Sequence, residues 1–165
     1  MKFTQDYIIR WHDTNANREL TPSSALTLMQ ETTNMHIKTM YPSLEYIRDV
    51  LHQAFILTKV YMRFYQPAYA YDKITVETWT GIESRGFTFY RSFAIKKDGE
   101  IIADALTTWC LIDTVDFKLL PVTKFENNFI DEESLTVDMP RKIKFPIDKE
   151  LEFISKKCYE KQKMK

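Results

Sequence analysis

Glycine and cysteine are both scarce in this sequence, and each scarcity excludes a class of site. Only three of the 165 residues are glycine, and neither GxGxxG nor GKS or GKT occurs. The chain therefore carries no loop of the kind that cradles phosphate groups. The two cysteines, Cys110 and Cys158, stand far apart without a CxxC pair. They predict neither a disulfide framework nor a zinc site, and they suit a reducing cytoplasm.

Net charge and long apolar runs are also missing. Lysine plus arginine and aspartate plus glutamate number 23 each, so no overall field favours nucleic acid or an anionic membrane. No apolar run reaches the roughly 18 residues of a membrane-spanning helix, and no signal-peptide pattern is present. The three histidines lack the spacing of metal ligands. We therefore expect a soluble cytoplasmic protein that binds no nucleic acid, membrane or metal and needs no cofactor.

One stretch, from Thr21 to Met40, has the pattern of a long helix. Thr21 can cap it, Pro22 suits its first turn, and no glycine or further proline interrupts it. Its apolar residues spread around much of the circumference, which predicts that protein surrounds most of the helix. A second, short helix is predicted from Leu44 to Leu51.

Much of the remaining sequence up to residue 120 alternates with the period of two that marks β-strands. A first strand is predicted from Phe3 to Trp11. In the strand that starts at Gln53, the even-numbered residues from Ala54 to Phe64 are predicted to share one face. Asp98-Gly99, between two alternating runs, is the strongest hairpin signal in the chain. The four strands after the helices are predicted at residues 53–67, 72–82, 87–96 and 101–114.

This order of elements predicts an α+β domain in which one long curved antiparallel sheet wraps a central α-helix. We place this single domain at residues 1–120. Residues 121–165 are rich in charge and predict a linker-like tail that can include a helix from Asp148 to Lys161. Aromatic side chains on the outer side of the sheet predict a covered surface. We therefore expect a homodimer or a higher homo-oligomer.

Five segments stand along the chain in a characteristic order. Three of these segments have the patterns Y-x-I-R-x-x-D-x-N, VETW and R-S-F-x-I. The last segment along the chain contains the pattern W-x-L-I-D. The segments are Tyr7–Asn15, Leu20–His36, Val76–Trp79, Arg91–Ile95 and Lys97–Val122. Each pattern alone is weakly specific, whereas their order and spacing together are fairly specific. Together they resemble the acyl-acyl carrier protein thioesterases, a family of the hotdog superfamily.

The resemblance implies a hotdog fold, and it implies hydrolysis of the thioester that joins a fatty acyl chain to a carrier protein. Members of this family usually carry two tandem hotdog domains, and a D-x-N-x-H-V-N-N loop in the second is catalytic. This chain matches the first domain and contains no N-x-H-V-N-N. We expect a homodimer to mimic the tandem arrangement.

The loop before the helix supplies the first candidate catalytic residues, Asp13, Asn15, Asn17 and Glu19. Laid against the family motif, Asn15 falls at its Asp, Asn17 matches its Asn, and Glu19 stands in place of its His. A carboxylate here would activate water or attack the carbonyl, and Asn17 would hold the oxyanion. We expect this loop to ring the entrance of an apolar channel. The same residues also favour a tight turn ahead of the helix.

The predicted helix supplies a second set of candidates. Some hotdog thioesterases use an acid or amide on this helix to position water, so the resemblance makes Glu31 a further candidate base and Gln30 a possible polariser of the carbonyl. Alternatively, both side chains satisfy backbone groups or contact a partner.

Four further residues are candidates for substrate binding. Asn34 and His36 match the family's N-H pair, while Met29 and Thr58 are candidates for the wall of the acyl slot. Core packing by the methionine and a hydrogen-bonded structural role for the histidine are the alternatives.

We expect an acyl thioesterase acting on acyl carrier protein or coenzyme A thioesters. The alternative is a noncatalytic acyl-binding or assembly subunit that keeps the slot without the catalytic groups. A third hypothesis, hydratase or dehydratase action on acyl thioesters, has less support, because the sequence does not show the His-led loop of those relatives.

Overall fold

A computed structural model of the protein describes residues 2–80 and 84–125. The predicted helix from Asp148 to Lys161 and most of the predicted tail lie outside the described residues. The strands are β1 (Phe3–Ile8), β2 (Gln53–Phe64), β3 (Lys73–Thr80), β4 (Phe89–Lys97), β5 (Glu100–Asp113) and β6 (Leu119–Leu120). The α-helices are α1 (Pro22–Lys38) and α2 (Leu44–Asp49), and 3₁₀ turns span Trp11–Asp13 and Val122–Lys124.

The strands form one antiparallel sheet in the order β1-β3-β4-β5-β2, with β6 paired to β5. A hairpin joins β4 to β5 at Asp98-Gly99, where φ is 52° and 83°. Positive φ at both central residues fits the type I′ turn that Asp-Gly favours. Both the predicted hairpin and the predicted α+β architecture are confirmed.

The long helix α1 lies on one face of the sheet and begins where the sequence predicts. The Ser24 amide donates to Thr21 Oγ1 at 3.2 Å, and Pro22 occupies the first turn. Its buried residues recur every three or four positions: Ala25, Leu28, Met29, Thr32, Thr33, His36 and Ile37. Met35 is 36% exposed on the other side. The prediction that protein surrounds most of the helix is wrong within the described chain, because the sheet covers a single face.

Strand β2 contains a β-bulge at Thr58. Leu57 pairs with Trp109, and Lys59 pairs with Thr108, so Thr58 has no opposite residue on β5. The Thr58 hydroxyl donates to the Thr108 carbonyl oxygen at 2.9 Å. This hydrogen bond ties the extra residue to the neighbouring strand.

The bulge changes which side chains of β2 face the helices. Phe55 packs into the core before Thr58, and Met62 packs into it afterwards. The prediction that even-numbered residues share one face from Ala54 to Phe64 is therefore wrong, because one extra residue inverts the alternation.

Strand β1 ends at Ile8, before its predicted end at Trp11, which lies in a 3₁₀ turn and is 56% exposed. The Arg10 amide donates to the Asp13 carboxylate at 3.0 Å. Such a local bond from side chain to backbone competes with strand pairing.

Two apolar clusters fill the space between the helices and the sheet. Met29 of α1 and Phe93 of β4 meet in the larger one, and both are fully buried. The smaller cluster contains Ile47 of α2, together with Val122 and Phe125. Residues just beyond 120 thus pack into the fold, and the division of the chain at residue 120 stays a prediction.

Among the described residues, no helix combines the length and the apolar character needed to cross a bilayer. The predicted cytoplasmic location stays a prediction.

Two methionines on α1 test which face of the helix is buried. We expect Met29→Ala to lower the free energy of unfolding by about 2–5 kcal/mol, because it leaves a cavity in the core. The matched variant Met35→Ala should change it by less than about 0.5 kcal/mol, as exposed substitutions generally do. Urea denaturation followed by circular dichroism measures both, and equal losses would contradict the one-sided packing.

Candidate acyl-binding cavity and its surroundings

A largely apolar cavity of about 290 Å³ lies between the C-terminal half of α1, α2 and the sheet. Apolar walls with a few convergent polar groups are typical of small-molecule sites, although this volume is near the lower limit for them. The apolar lining residues are Ile37, Leu44, Ile47, Ala54, Phe55, Phe89 and Trp109.

Arg91 contributes a buried guanidinium to the wall of this cavity and is only 4% exposed. Its Nη1 atom lies 3.2 Å from His36 Nδ1 and 3.1 Å from Thr78 Oγ1. A guanidinium only donates, so His36 Nδ1 must accept and the imidazole proton sits on Nε2. The Phe3 ring stacks on the imidazole, with centroids 5.1 Å apart. His36 therefore positions Arg91 and does not itself border the cavity.

A more open groove between α1 and α2 adjoins the cavity. Asn34, Leu44 and Arg48 border both of them. Glu31 borders the groove one turn before Asn34, on the exposed face of α1. Among the predicted site residues, Glu31 and Asn34 are thus the pair that the fold brings to the mouth of the cavity.

Other predicted residues on the helix and on β2 lie elsewhere. Met29 is fully buried in the larger core cluster, and Gln30 is half-buried. Thr58 is exposed at the β2 bulge. None of these three borders the cavity or the groove.

The loop from Asp13 to Glu19 forms a tight turn at the opposite, N-terminal end of α1. Asn15 Oδ1 accepts hydrogen bonds from the amides of Asn17 at 2.9 Å and Glu19 at 3.1 Å. Asn15 Nδ2 donates to Glu19 Oε2 at 3.3 Å. The expectation that this loop rings the entrance of the channel is wrong for this cavity, which lies at the other end of the helix.

Asp13 is buried and held by its neighbour Arg10. Its carboxylate accepts from Arg10 Nε at 2.9 Å and Nη2 at 3.0 Å. The Arg10 hydrogen bonds lower the pKa of the Asp13 carboxyl. The Asp13 carbonyl oxygen accepts from the amide of Thr21, the residue that caps α1, at 3.1 Å. Within the chain, Asp13 therefore joins the turn to the start of the helix.

Sequence reasoning missed Phe55, Arg91 and Trp109 among the residues of the cavity wall. One signal was present in β4, where the alternating positions 89, 91, 93 and 95 read Phe, Arg, Phe and Ile. A charged residue within an apolar row marks a position where a strand borders something other than packed core.

The described residues include no group of three or more histidine, cysteine or carboxylate side chains arranged to hold a metal ion. The cavity offers hydrogen-bond donors, the guanidinium groups of Arg48 and Arg91, and apolar walls.

Solved structures share this fold at low sequence identity. An acyl-ACP thioesterase from Bacteroides thetaiotaomicron superimposes with a TM-score of 0.77 and 19% identity, over 87% of this chain and 58% of that one. A 1,4-dihydroxy-2-naphthoyl-CoA thioesterase from Synechocystis superimposes with a TM-score of 0.66 and 20% identity, over 74% of this chain and 90% of that one. A hypothetical protein from Aquifex aeolicus superimposes with a TM-score of 0.67 and 20% identity, over 74% of this chain and 94% of that one. The hotdog fold is confirmed.

A search of curated protein sequences found no significant match. The chain spans 58% of the length of the Bacteroides acyl-ACP thioesterase. The family model for the acyl-ACP thioesterase N-terminal domain matches residues 1–127, which is most of the chain, and the chain therefore belongs to that family.

Proposed function

We propose that this protein acts in the hydrolysis of fatty acyl thioesters carried by acyl carrier protein or coenzyme A. The apolar cavity between α1, α2 and the sheet carries the proposal, because it offers a place for an acyl tail beside a groove with polar groups. The family supports acyl carrier protein as the carrier, and the fold it shares with a coenzyme A thioesterase supports the alternative carrier.

The groove supplies the groups that thioester hydrolysis needs. In this proposal the Glu31 carboxylate takes a proton from water, and the water oxygen attacks the thioester carbonyl carbon. The Asn34 amide donates to the carbonyl oxygen as negative charge develops on it. The carbon–sulfur bond then breaks, and the leaving thiolate takes the proton from Glu31, which restores the carboxylate. Both side chains border the groove, and Asn34 also borders the cavity.

Asp13, Asn15, Asn17 and Glu19 could act on a thioester only if another domain or a second copy brought a cavity to their loop. We propose a homodimer for this reason. In the described part of the sheet, β2 has β5 on one side and no strand on the other. An open edge of this kind can pair with another strand.

A noncatalytic acyl-binding subunit is the second candidate function. Two observations favour it. Asp13 is held by Arg10 within its own chain, and the loop has Glu19 where the family motif has its His. This subunit would hold the acyl tail in the same cavity without releasing the thiol.

Replacement of Glu31 tests the hydrolytic function. We expect Glu31→Gln to lower kcat by roughly 10²–10⁴-fold, because the amide cannot accept the proton from water. The matched variant Glu45→Gln removes a carboxylate from the same groove and should keep kcat within about twofold. The assay follows free thiol released from acyl carrier protein and coenzyme A thioesters of several chain lengths.

Equal activity of the two glutamine variants would exclude Glu31 as the base. Saturable acyl binding by the unmodified chain without thiol release would instead support the noncatalytic subunit.

The Arg10–Asp13 pair predicts how stability depends on pH. The pair lowers the carboxyl pKa in the folded protein, so its contribution is present near pH 7 and is lost as pH falls through the folded pKa. We expect Asp13→Asn to lower the free energy of unfolding at pH 7 by about 1 kcal/mol or less, because Arg10 is well exposed. The difference should shrink below about pH 4, which urea denaturation across pH measures.

The same variant separates a structural role from a catalytic one. Folded Asp13→Asn should keep its kcat if Asp13 only holds the turn. A loss of kcat with unchanged stability would contradict that structural role and would support a catalytic role for Asp13.

A further inference from the structure

Three phenylalanine rings meet at one side of the cavity. The Phe55 and Phe89 centroids lie 5.2 Å apart, and the Phe125 centroid lies 5.5 Å from that of Phe55 and 6.1 Å from that of Phe89. The interplanar angles are 86°, 71° and 86°. These edge-to-face contacts are favourable beyond simple burial, so the rings support one another. We call the three residues the aromatic wall.

The members of the aromatic wall have different positions relative to the cavity. Phe55 and Phe89 border it, whereas Phe125 lies behind them. Phe89 is 8% exposed and Phe125 is 4% exposed. Protein interiors are closely packed, so the two lining rings have little room to retreat while Phe125 is in place.

A separate segment of the chain positions Phe125. Leu120 of β6 pairs with Leu111 of β5. The Val122 amide donates to the Gly86 carbonyl oxygen at 2.7 Å. The 3₁₀ turn that follows then directs Phe125 onto the other two rings.

The groove between α1 and α2 marks the end of the cavity at which an acyl chain would enter. Asn34, Leu44 and Arg48 form its boundary with the groove. An acyl chain that enters past these residues can meet Phe55 and Phe89 inside. Beyond those two rings it would have to displace Phe125.

We propose that the aromatic wall is the stop that sets the longest acyl chain the protein accepts, with Phe125 as the ring that fixes the stop. This inference rests on the proposed function, since it takes the cavity to be the site of the acyl tail. It predicts a preference for chains shorter than the longest common fatty acids, because the cavity measures only about 290 Å³.

Binding of free fatty acids to the full chain tests this inference without relying on hydrolysis. The probes are saturated acids of even carbon number from hexanoate to octadecanoate, and isothermal titration calorimetry gives each Kd. We expect affinity to rise on the order of fourfold per added methylene up to a limit, because each methylene is buried, and then to stop rising. The limit is the chain length beyond which two further carbons no longer raise the binding affinity.

Phe125→Ala should move the limit to a longer acid. The first acid beyond the original limit should bind on the order of tenfold more tightly than it binds the unmodified chain, because two more methylenes become buried. Phe125→Leu should move the limit in the same direction and keeps most of the apolar volume, which guards against loss of the fold. Phe93→Ala is the matched control, since Phe93 is fully buried in the other cluster and does not border the cavity.

The outcomes separate the two proposals. An unmoved limit in both folded Phe125 variants, or an equal shift in Phe93→Ala, would overturn the aromatic wall as the stop and leave acyl binding intact. Absence of binding by the unmodified chain at every length would overturn both the stop and the acyl-binding cavity.

Discussion

The packing of one face of α1 against the inner face of the sheet is the contact on which the other features depend. Met29 and Phe93 meet in that interface with no exposed surface. Helices in proteins gain most of their stability from such apolar packing rather than from intrinsic propensity. Once this contact is made, the two ends of the helix have fixed neighbours. The start of α1 adjoins the Asp13 turn, and its end borders the cavity with α2.

The β-bulge at Thr58 lets the edge strand β2 contribute side chains both to the cavity and to the core beneath α1. Before the bulge β2 presents Phe55 to the cavity, and after it the strand presents Met62 to the core beneath α1. A regular strand would keep these two residues on opposite faces, because their numbers differ in parity. The extra residue therefore lets β2 present apolar side chains to both clusters.

Polar groups at the two ends of α1 are held in different ways. At the start, Arg10 and Asn15 bond to residues within four positions of themselves, so these side-chain hydrogen bonds are local in sequence. At the other end, Arg91 and His36 come from β4 and α1 and meet only when the helix lies on the sheet. Such a buried polar contact fixes the relative placement of helix and sheet, because separation would leave both groups without this hydrogen bond.

The sequence by itself determined the elements whose signals are local. The cap at Thr21, the Asp98-Gly99 hairpin and the α+β order follow from turn chemistry and periodicity, and the structure agrees with them. The tertiary structure alone decided which side chains border the cavity. Phe55, Phe89 and Arg91 stand on two strands far apart in sequence, and a bulge that the alternation did not signal sets the direction of one of them. Periodicity states which residues share a face, whereas a cavity depends on where several faces fail to touch, and that is a property of packing between distant segments.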